Sequence, residues 1–428
     1  MVSNRQPDEP QTAGAVILYF KVKTAQEVFE ILKGFKPLDD ETVSINDVLG
    51  RTLIRDIISL EDVPGFARSS MDGYAVIAKD TFGASESLPA LLKIKGDVLI
   101  GKPPALGVEQ GQTVRISTGG MLPEGADGVV MLEYCHSLDE NTIEVSRVVS
   151  PFENVIKPDD DFQKNAVILR KGHVLRPQDL GVLAGLGIRQ VSVSRRPKIA
   201  IISTGDEIIP IEDRPEPGQV RDINTYTLSA FCRQTGADPI VLGLCGDSFS
   251  DLKEQVEKGL KEADSVWISG GSSVGTRDFT LKVFESFEDM ELLVHCISIS
   301  PGKPTIIARV GPKALFGLPG HTTSALVVAE VFLSEFLSGL SGAERSPEED
   351  KLFVSAELSR NVESVSGRDD YIRVRLEKKG DNLVAEPVFG KSGLISTLVK
   401  AQGLVCIDRN TEGLYRGQKV KVLVFSRY

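Results

Sequence analysis

Four short segments in the second half of the chain combine glycines, hydroxyl groups and carboxylates. They are TGDE at 204–207, GD at 246–247, GGSSVGTRD at 270–278 and PGHTTS at 319–324. Glycine has no Cβ atom, so backbone N–H groups in such segments can approach an oxyanion closely. The first turn of a helix adds unpaired N–H donors and a partial positive charge. If the four segments meet, they form a cradle for a phosphate or a carboxylate.

Four carboxylates lie in these same segments: Asp206, Glu207, Asp247 and Asp278. Surface carboxylates are often merely solvated, and Asp278 is also placed to cap a helix. Carboxylates beside a phosphate cradle suit Mg²⁺, which takes oxygen ligands and bridges one or two carboxylates to substrate phosphates. We therefore predict Mg²⁺ as a cofactor, with Asp206, Asp247 and Asp278 as its ligands. Lys303 follows another predicted strand and is either a fixed positive charge or a solvated loop lysine.

Several common site types are excluded by the residues themselves. Two Gly-Lys pairs, at 101–102 and 302–303, are followed by proline and not by the serine or threonine of a P-loop. The GLG segment at 185–187 precedes a predicted strand, so it does not match a dinucleotide-binding fingerprint. The five cysteines and four histidines are scattered, with no C-x-x-C and no H-E-x-x-H. This pattern argues against a transition metal held by protein side chains.

The composition is that of a globular protein with two to four domains. The chain has 428 residues, of which 41% are hydrophobic and 25% charged, as in ordinary globular proteins. Acidic residues exceed basic ones, 60 to 49, for a net charge of −11, so we expect no nucleic-acid partner. No uninterrupted apolar run approaches the roughly 20 residues of a membrane span, and we expect no membrane partner. The widely spaced cysteines fit a reducing compartment, and we expect the cytoplasm.

Repeated strand–helix units position the four segments. The strands predicted at 198–203, 239–245, 265–269 and 313–318 each end just before one of them. Helices are predicted at 224–235 (capped by Asn224), 248–262 (capped by Ser248, with Asp251 completing a capping box), 279–287 and 323–339. This alternation predicts a parallel sheet with helices on both faces, and ligands bind beyond the carboxyl ends of such strands.

The chain divides around this α/β domain of residues 195–342. Residues 1–20 are interpreted as a flexible, solvated extension. Residues 21–64 and 151–194 have mixed, partly helical character, with a capping box at Thr24 that opens a helix to Phe35, a second helix start at Ser44 and a third at Pro177. Residues 65–150 and 343–428 consist of short strands. The sequence thus predicts an inserted β domain within a discontinuous elongated domain, and a C-terminal β-barrel-like domain.

Two weaker signals lie in the inserted β domain. The segment SSMDGYAV at 69–76 places Asp72 and a glycine before a strand, and RISTGG at 115–120 places Thr118 and two glycines at a strand end. An ordinary turn explains each of them when it is taken alone. The acidic run at 159–161 is explained by a solvated loop.

Together, these segments resemble the MoeA-type molybdopterin molybdenumtransferases, the family that includes the gephyrin E domain. The matching segments follow the family's order within residues 21–428: SSMDGYAV, RISTGGMLPEGADGVVMLE, ISTGDEI, SGGSSVGTRDFT, SPGKPT and GLPGHTTSAL. The resemblance implies a multidomain α/β plus β protein whose central, MogA-like α/β domain binds molybdopterin. It also implies a homodimer in which the inserted domain of one subunit completes the cleft of the other.

The resemblance further implies an enzyme of molybdenum cofactor biosynthesis. Molybdate or tungstate is placed on the dithiolene of adenylylated molybdopterin, and the AMP anhydride is cleaved with Mg²⁺ present. Two other functions stay open. One is adenylylation of molybdopterin by ATP, as in MogA-like proteins, and the other is a dimeric scaffold that binds a partner peptide. A MogA-like adenylyltransferase is a further candidate partner.

Carried over residue by residue, the resemblance predicts a site. The catalytic residues are Asp72, Glu207, Asp247 and Asp278. The substrate-binding residues are Thr118, Gly205, Gly270, Gly271, Ser272, Lys303, Gly320 and Ser392. Asp161 matches an acidic residue of the linking segment.

The sequence departs from the family pattern at two places. Lysines that precede P-G-K-P in bacterial members are replaced by Cys296 and Ser300, and the family's P-G-N-P reads PGHT at 319–322. We therefore predict that Lys303 and nearby backbone donors supply the missing positive charge.

Overall fold

The protein consists of two compact units. The computed structural model describes residues 22–270, 276–344 and 352–425, without the side chains of residues 276–278. The first unit comprises the described residues of 22–54, 172–176 and 191–425, and the second comprises residues 55–171 and 177–190. Each unit has its own hydrophobic core.

The first unit is built around a six-stranded sheet. The strand order is Asp238–Cys245, Lys198–Thr204, Ser265–Gly270, Lys313–Leu318, Ile306–Val310 and Met290–His295. The first four strands are parallel, as predicted, and Ile306–Val310 runs antiparallel to both of its neighbours, Lys313–Leu318 and Met290–His295. Ile306–Val310 is antiparallel because a tight turn at Gly311 joins it directly to Lys313–Leu318, which leaves no room for a crossover helix.

Helices cover both faces of this sheet. Asn224–Gln234 and the segment Thr322–Leu340 pack on one face, against Trp267 and Phe316. Phe249–Glu262 and Thr276–Glu285 contribute to the core on the other face. The strand Lys198–Thr204 is buried except at Lys198 because it is covered on both sides, which explains its continuous apolar sequence.

Of the three helix starts predicted outside the α/β domain, two are confirmed and the third opens only a short 3₁₀ turn. The capping box at Thr24 is present and opens the helix Ala25–Leu32, and Pro177 begins the helix Pro177–Gly185. The start at Ser44 opens a 3₁₀ turn of three residues, Ile45–Asp47. The two confirmed starts depend on residues that are close in sequence, which is why the sequence predicted them.

Two predicted caps are replaced by other contacts. Asn224 lies inside its helix, and the carboxylate of Asp222 instead accepts the N–H of Thr225 at 3.1 Å. Ser248 precedes the helix Phe249–Glu262, but its hydroxyl lies 3.1 Å from the hydroxyl of Ser250 and does not cap the helix. The capping box predicted with Asp251 is therefore wrong.

The segment Thr322–Leu340 has the length and apolar composition of a membrane-crossing helix, which a search for uninterrupted apolar runs does not detect. It consists of the helix Thr322–Val328, a π-helical turn at Ala329–Leu333 and the helix Ser334–Leu340. Of its most apolar window, 67% is buried inside the protein. Phe336 packs on the sheet at Phe316, with ring centroids 5.0 Å apart. Packing against the sheet accounts for its apolar character.

The C-terminal part of the first unit is a closed five-stranded barrel, as predicted. Around the barrel the strands are Asp369–Lys379, Asn382–Pro387, Phe353–Leu358, Lys419–Val424 and Gly403–Ile407, which pairs again with Asp369–Lys379. The short strand Ile299–Ser300 pairs with the start of Asp369–Lys379. This pairing brings the SPGKPT segment to the barrel.

Smaller elements complete the first unit. They are the strands Asp40–Ser44, Gln190–Ser194, Ile208–Ile209, Val220–Arg221, Val362–Glu363 and Gly413–Leu414, and the helix Ser396–Lys400.

The second unit contains a six-stranded sheet. Its order is Gly128–Met131, Gly73–Val76, Gln112–Ile116, Ala90–Asp97, Thr142–Val145 and Cys135–Ser137. Two short antiparallel pairs, Arg68–Ser69 with Val155–Ile156 and Ile57–Ile58 with Val167–Leu169, bring the segments before and after the sheet together. Apolar clusters on both sides of the sheet bury its side chains. The 3₁₀ turns Ala78–Thr81 and Leu132–Tyr134 complete this unit.

Candidate active site

A cavity of about 320 Å³ lies where the parallel strands of the first unit end. Five predicted site residues line it: Gly205, Glu207, Asp247, Gly270 and Gly320. The carboxyl ends of parallel strands meet at one sheet edge, so segments far apart in sequence converge there. We call it the acidic cavity, because Glu207, Asp222 and Asp247 are among its lining residues.

The two glycines at the strand ends permit a close approach of the backbone. A Cβ atom on Gly270, whose φ is +136°, would lie 1.8 Å from the carbonyl oxygen of Thr204. A Cβ atom on Gly205, whose φ is +148°, would lie 2.6 Å from Oε2 of Glu207. The N–H of Gly205 donates to the carbonyl of Cys245 at 3.2 Å. Gly205 therefore makes room for the Glu207 carboxylate, and its own N–H is already engaged within the protein.

Three carboxylates create a negative potential at this edge. Asp206 Oδ1 accepts the N–H of Asp247 at 2.9 Å, and Asp247 Oδ1 accepts the hydroxyl of Thr204 at 3.3 Å. Burial, followed by the charges of Asp206 and Glu207, raises the pKa of Asp247, while the Thr204 hydrogen bond partly offsets this rise. A raised carboxyl pKa means that the site favours an additional positive charge.

The fit of this site to Mg²⁺ follows from its donors. Within the described residues, no group of three or more His, Cys, Asp or Glu side chains is close enough together to hold a metal ion. Mg²⁺ commonly uses only one or two protein carboxylates and takes its other oxygens from water and substrate phosphates. Asp247 lines the acidic cavity, whereas Asp206 is not among its lining residues and adjoins it through the N–H of Asp247. The two carboxylates supply oxygens of this kind, so the residues present fit the ion.

Two residues of the acidic cavity were missed from the sequence. Asp222 is 7% exposed, and its Oδ1 accepts the hydroxyl of Ser203 at 3.0 Å. Asn224 is 5% exposed, its Nδ2 donates to the carbonyl of Gly320 at 2.8 Å, and its Oδ1 is buried with no hydrogen-bond partner among the described residues. The available signal was the RDIN segment at 221–224, where two polar side chains precede an amphipathic stretch.

A second cavity, of about 500 Å³, lies between the α/β sheet and the barrel. It is lined by Lys303 and Ser392, both predicted, and by Arg368 and Arg373, which were missed. We call it the basic cavity. Ser300 also lines it, whereas Cys296 is buried and does not.

The two arginines differ in their pairing. Arg368 forms an ion pair with Asp370, in which Nε lies 2.9 Å from Oδ1. Arg373 donates one hydrogen bond, from Nη2 to the carbonyl of Gly390 at 3.0 Å, and its buried Nε has no partner among the described residues. Burial lowers the pKa of Arg373. An anion in this cavity would supply the missing acceptor.

His321 is the residue that lines both cavities. Its Nδ1 lies 2.8 Å from the hydroxyl of Ser392, a contact that spans 71 residues of sequence. The ring also lies over Gly393, where a Cβ atom would be 3.6 Å from Cδ2 of His321. The PGHT turn and the barrel loop therefore form the boundary between the two cavities.

Asp72 and Thr118 come together in the second unit. Oδ1 of Asp72 accepts the backbone N–H of Thr118 at 2.8 Å and its hydroxyl at 3.3 Å. Gly73 is required next to Asp72, since a Cβ atom there would lie 1.9 Å from the carbonyl oxygen of Val130. Asp161 is exposed in the same unit, and its N–H donates to the carbonyl of Val63.

Three predicted positions fall outside what the structure describes. Gly271 and Ser272 lie outside the described residues, as does the side chain of Asp278. The backbone of Asp278 belongs to the helix Thr276–Glu285, at the edge of the sheet where Ser265–Gly270 ends.

Three family descriptions match the chain in order along its length. They are "MoeA N-terminal region (domain I and II)" over residues 21–187, "Probable molybdopterin binding domain" over 200–339 and "MoeA C-terminal region (domain IV)" over 355–425. The chain belongs to the MoeA family. Apart from Gly393, the lining of the acidic cavity falls within the region matched as a molybdopterin-binding domain, whereas the basic cavity joins this region to the C-terminal barrel of the MoeA chain.

Individual MoeA relatives match over nearly their whole length. A protein of Methanocaldococcus jannaschii named for molybdopterin biosynthesis is 34% identical, over 94% of this chain and 97% of the relative. The molybdopterin molybdenumtransferase of Bacillus subtilis is 31% identical, over 90% of each. A crystal structure of the molybdopterin biosynthesis MoeA protein from Pyrococcus horikosii superposes with a TM-score of 0.78 at 36% identity, covering 95% of this chain and 100% of that one.

Proposed function

We propose that this protein is a molybdopterin molybdenumtransferase that acts in molybdenum cofactor biosynthesis. It inserts molybdate, or tungstate in its place, into adenylylated molybdopterin and cleaves the AMP anhydride. The observation that carries the proposal is the junction of two oppositely charged cavities at His321. An acidic cavity suits phosphates accompanied by Mg²⁺, and a basic cavity suits a tetrahedral oxyanion. The names of the relatives support the same activity.

The acidic cavity binds and orients the phosphate end of the pterin substrate. Asp206 and Asp247 would hold Mg²⁺, whose charge would offset the repulsion between the carboxylates and the substrate phosphates. Asp206 and Asp247 are the described ligands in this proposal, and Asp278 is the third. The Asp247 carboxyl favours the ion because burial and neighbouring charges already raise its pKa. Glu207 also lines the cavity, and its carboxylate, which lies next to Gly205, adds a further negative charge there.

The basic cavity holds the oxyanion. The Lys303 ammonium group and the guanidinium groups of Arg368 and Arg373 donate hydrogen bonds to its oxygens, and the Ser392 hydroxyl adds a neutral donor. Contacts within the protein hold Arg368, Arg373 and Ser392 in place, which lowers the reorganisation that anion binding requires. The two arginines replace the charge of the family lysines that this sequence lacks.

Asp72 serves as the candidate for orienting the attacking water or oxyanion. Both hydrogen bonds from Thr118 go to Oδ1, and among the described residues Oδ2 has no donor, so it can accept a hydrogen bond from a substrate group. The proposal also includes the four-domain division given above, a homodimer, a MogA-like partner and a cytoplasmic location. Light scattering of the purified protein tests the dimer directly.

The experiment combines purified protein with adenylylated molybdopterin, Mg²⁺, and molybdate or tungstate. We expect free AMP and metal-loaded pterin to form together. Asp278→Ala should abolish AMP release with the fold intact, whereas Glu254→Ala, on an exposed helix position that lines neither cavity, should behave as wild type. Wild-type AMP release by the Asp278 variant would reject the proposed site.

The same preparation distinguishes the alternatives. Formation of adenylylated molybdopterin from molybdopterin and ATP would indicate an adenylyltransferase. Binding of a partner peptide without metal insertion would indicate a scaffold.

A further inference from the structure

The side chain of His321 occupies a position that no other described lining residue shares, since it borders both cavities. It is exposed, and a ligand in either cavity can reach it. Its Nδ1 is held by Ser392 at 2.8 Å. Its Nε2 has no hydrogen-bond partner among the described residues, so one ring nitrogen is positioned and the other remains for a ligand.

The partner of Nδ1 permits both neutral forms of the ring. A serine hydroxyl can donate to an unprotonated Nδ1 or accept from a protonated one. In the first case Nε2 carries the hydrogen, and in the second it carries the lone pair. With Nδ1 protonated and donating to Ser392, Nε2 can take up a proton to give the imidazolium and release it again, without movement of the ring.

The other groups that line the basic cavity are poorly suited to carry a proton back and forth. The side chains of Lys303, Arg368 and Arg373 carry N–H donors and no acceptor, so they bind an anion and do not take up a proton from a substrate. Asp370 is paired with Arg368, and burial raises the pKa of Tyr371 further from neutrality. Imidazole is the side chain that exchanges protons readily at neutral pH.

We propose that His321 transfers protons from the pterin dithiol to the oxide that leaves the metal during insertion. This inference rests on the proposed function and adds a catalytic residue to it. In the step, two S–H bonds and one metal–oxygen bond break, while two metal–sulfur bonds and two O–H bonds form. One water leaves, the metal stays hexavalent and the total charge is unchanged. Nε2 of His321 takes each thiol proton in turn and passes it to the departing oxygen.

The test measures single-turnover metal insertion from molybdate into adenylylated molybdopterin, together with molybdate binding. In His321→Ala and His321→Gln we expect the insertion rate to fall about 100-fold, a usual effect of losing a proton-transfer group. Molybdate affinity should change less than about threefold, since the fixed cations remain. Added imidazole should increase the insertion rate of His321→Ala about tenfold, because it can enter the space left by the ring. His136→Ala, which removes an exposed histidine of the second unit, is the matched control and should be unaffected.

The outcomes separate the inference from the proposed function. If the wild type forms no metal-loaded pterin, the proposed function fails. If the wild type is active and the two His321 variants insert metal at its rate, the inference alone is wrong. The inference is also wrong if weaker molybdate binding accounts for the whole fall in insertion rate, or if added imidazole does not increase the insertion rate of His321→Ala. The glutamine variant retains a polar side chain, so it gives an answer even where the alanine variant folds poorly.

Discussion

Replacing Gly270 by alanine tests whether close packing of two strand ends builds the acidic cavity. Gly270 pairs with Thr204 across the parallel strands, and a Cβ atom would lie 1.8 Å from the Thr204 carbonyl oxygen, whereas real Cβ contacts essentially never fall under 3.0 Å. The strand ends would therefore have to separate by about 1 Å. Cys245, Asp206 and Asp247 lie beside this point, so their geometry would change with it.

The expected magnitude has two parts. A non-glycine residue at such a positive φ costs about 1–2 kcal/mol of conformational strain. The steric overlap adds about 1–3 kcal/mol, as in overpacked cores. Gly270→Ala should thus lower the free energy of unfolding by about 2–5 kcal/mol. A displacement of about 1 Å in the cavity wall should also slow AMP release about 100-fold.

Gly243 provides a matched control in Asp238–Cys245, the edge strand on the other side of Lys198–Thr204. Its φ is +104°, and nothing lies within 4 Å of the position its Cβ would occupy. Gly243→Ala should therefore show the strain of about 1–2 kcal/mol without the overlap.

The assay is urea unfolding followed by the fluorescence of Trp267, the single tryptophan of the chain, which is fully buried in the strand Ser265–Gly270. Equal losses of stability in the two variants, or undiminished AMP release by Gly270→Ala, would refute the packing argument.

Three further outcomes are expected. Burial, followed by neighbouring charges, raises the pKa of Asp247 above its ordinary 3.8, so its contribution to stability falls as the pH rises through that pKa. Asp247→Asn should then stabilise the protein at neutral pH by about 0.5–1 kcal/mol, a gain that vanishes in acid unfolding curves below the ordinary pKa. Lys303→Ala should weaken molybdate binding about tenfold by calorimetry, and an unchanged affinity would remove Lys303 from the basic cavity's function. Burial opposes ionisation of Asp264, but hydrogen bonds from Arg195 at 2.6 and 2.7 Å and from a backbone N–H lower its pKa. Asp264→Ala should cost about 2 kcal/mol at neutral pH and progressively less as the pH falls through that lowered pKa, and a pH-independent cost would contradict the assignment.

Features decided by near neighbours were predictable from the sequence. The Thr24 capping box depends on hydrogen bonds between residues three apart. The continuous apolar run in the strand Lys198–Thr204 predicts that the strand is buried on both faces. The convergence of Gly205, Asp247 and Gly270 at one cavity followed from a rule of topology, because parallel strands direct their carboxyl ends to one edge.

The rest of the site was decided by the tertiary structure. Arg368, Arg373 and Ser392 enter the basic cavity because the barrel packs beside the SPGKPT segment, and no local spacing records that packing. Asn224 bonds to Gly320 across 96 residues and His321 to Ser392 across 71. Local periodicity and capping patterns arise from contacts within about four residues, whereas a hydrogen bond between distant segments depends on how whole elements pack. The sequence alone therefore determined the kind of chemistry at the sheet edge, and the packing of the barrel against the sheet determined which side chains share it.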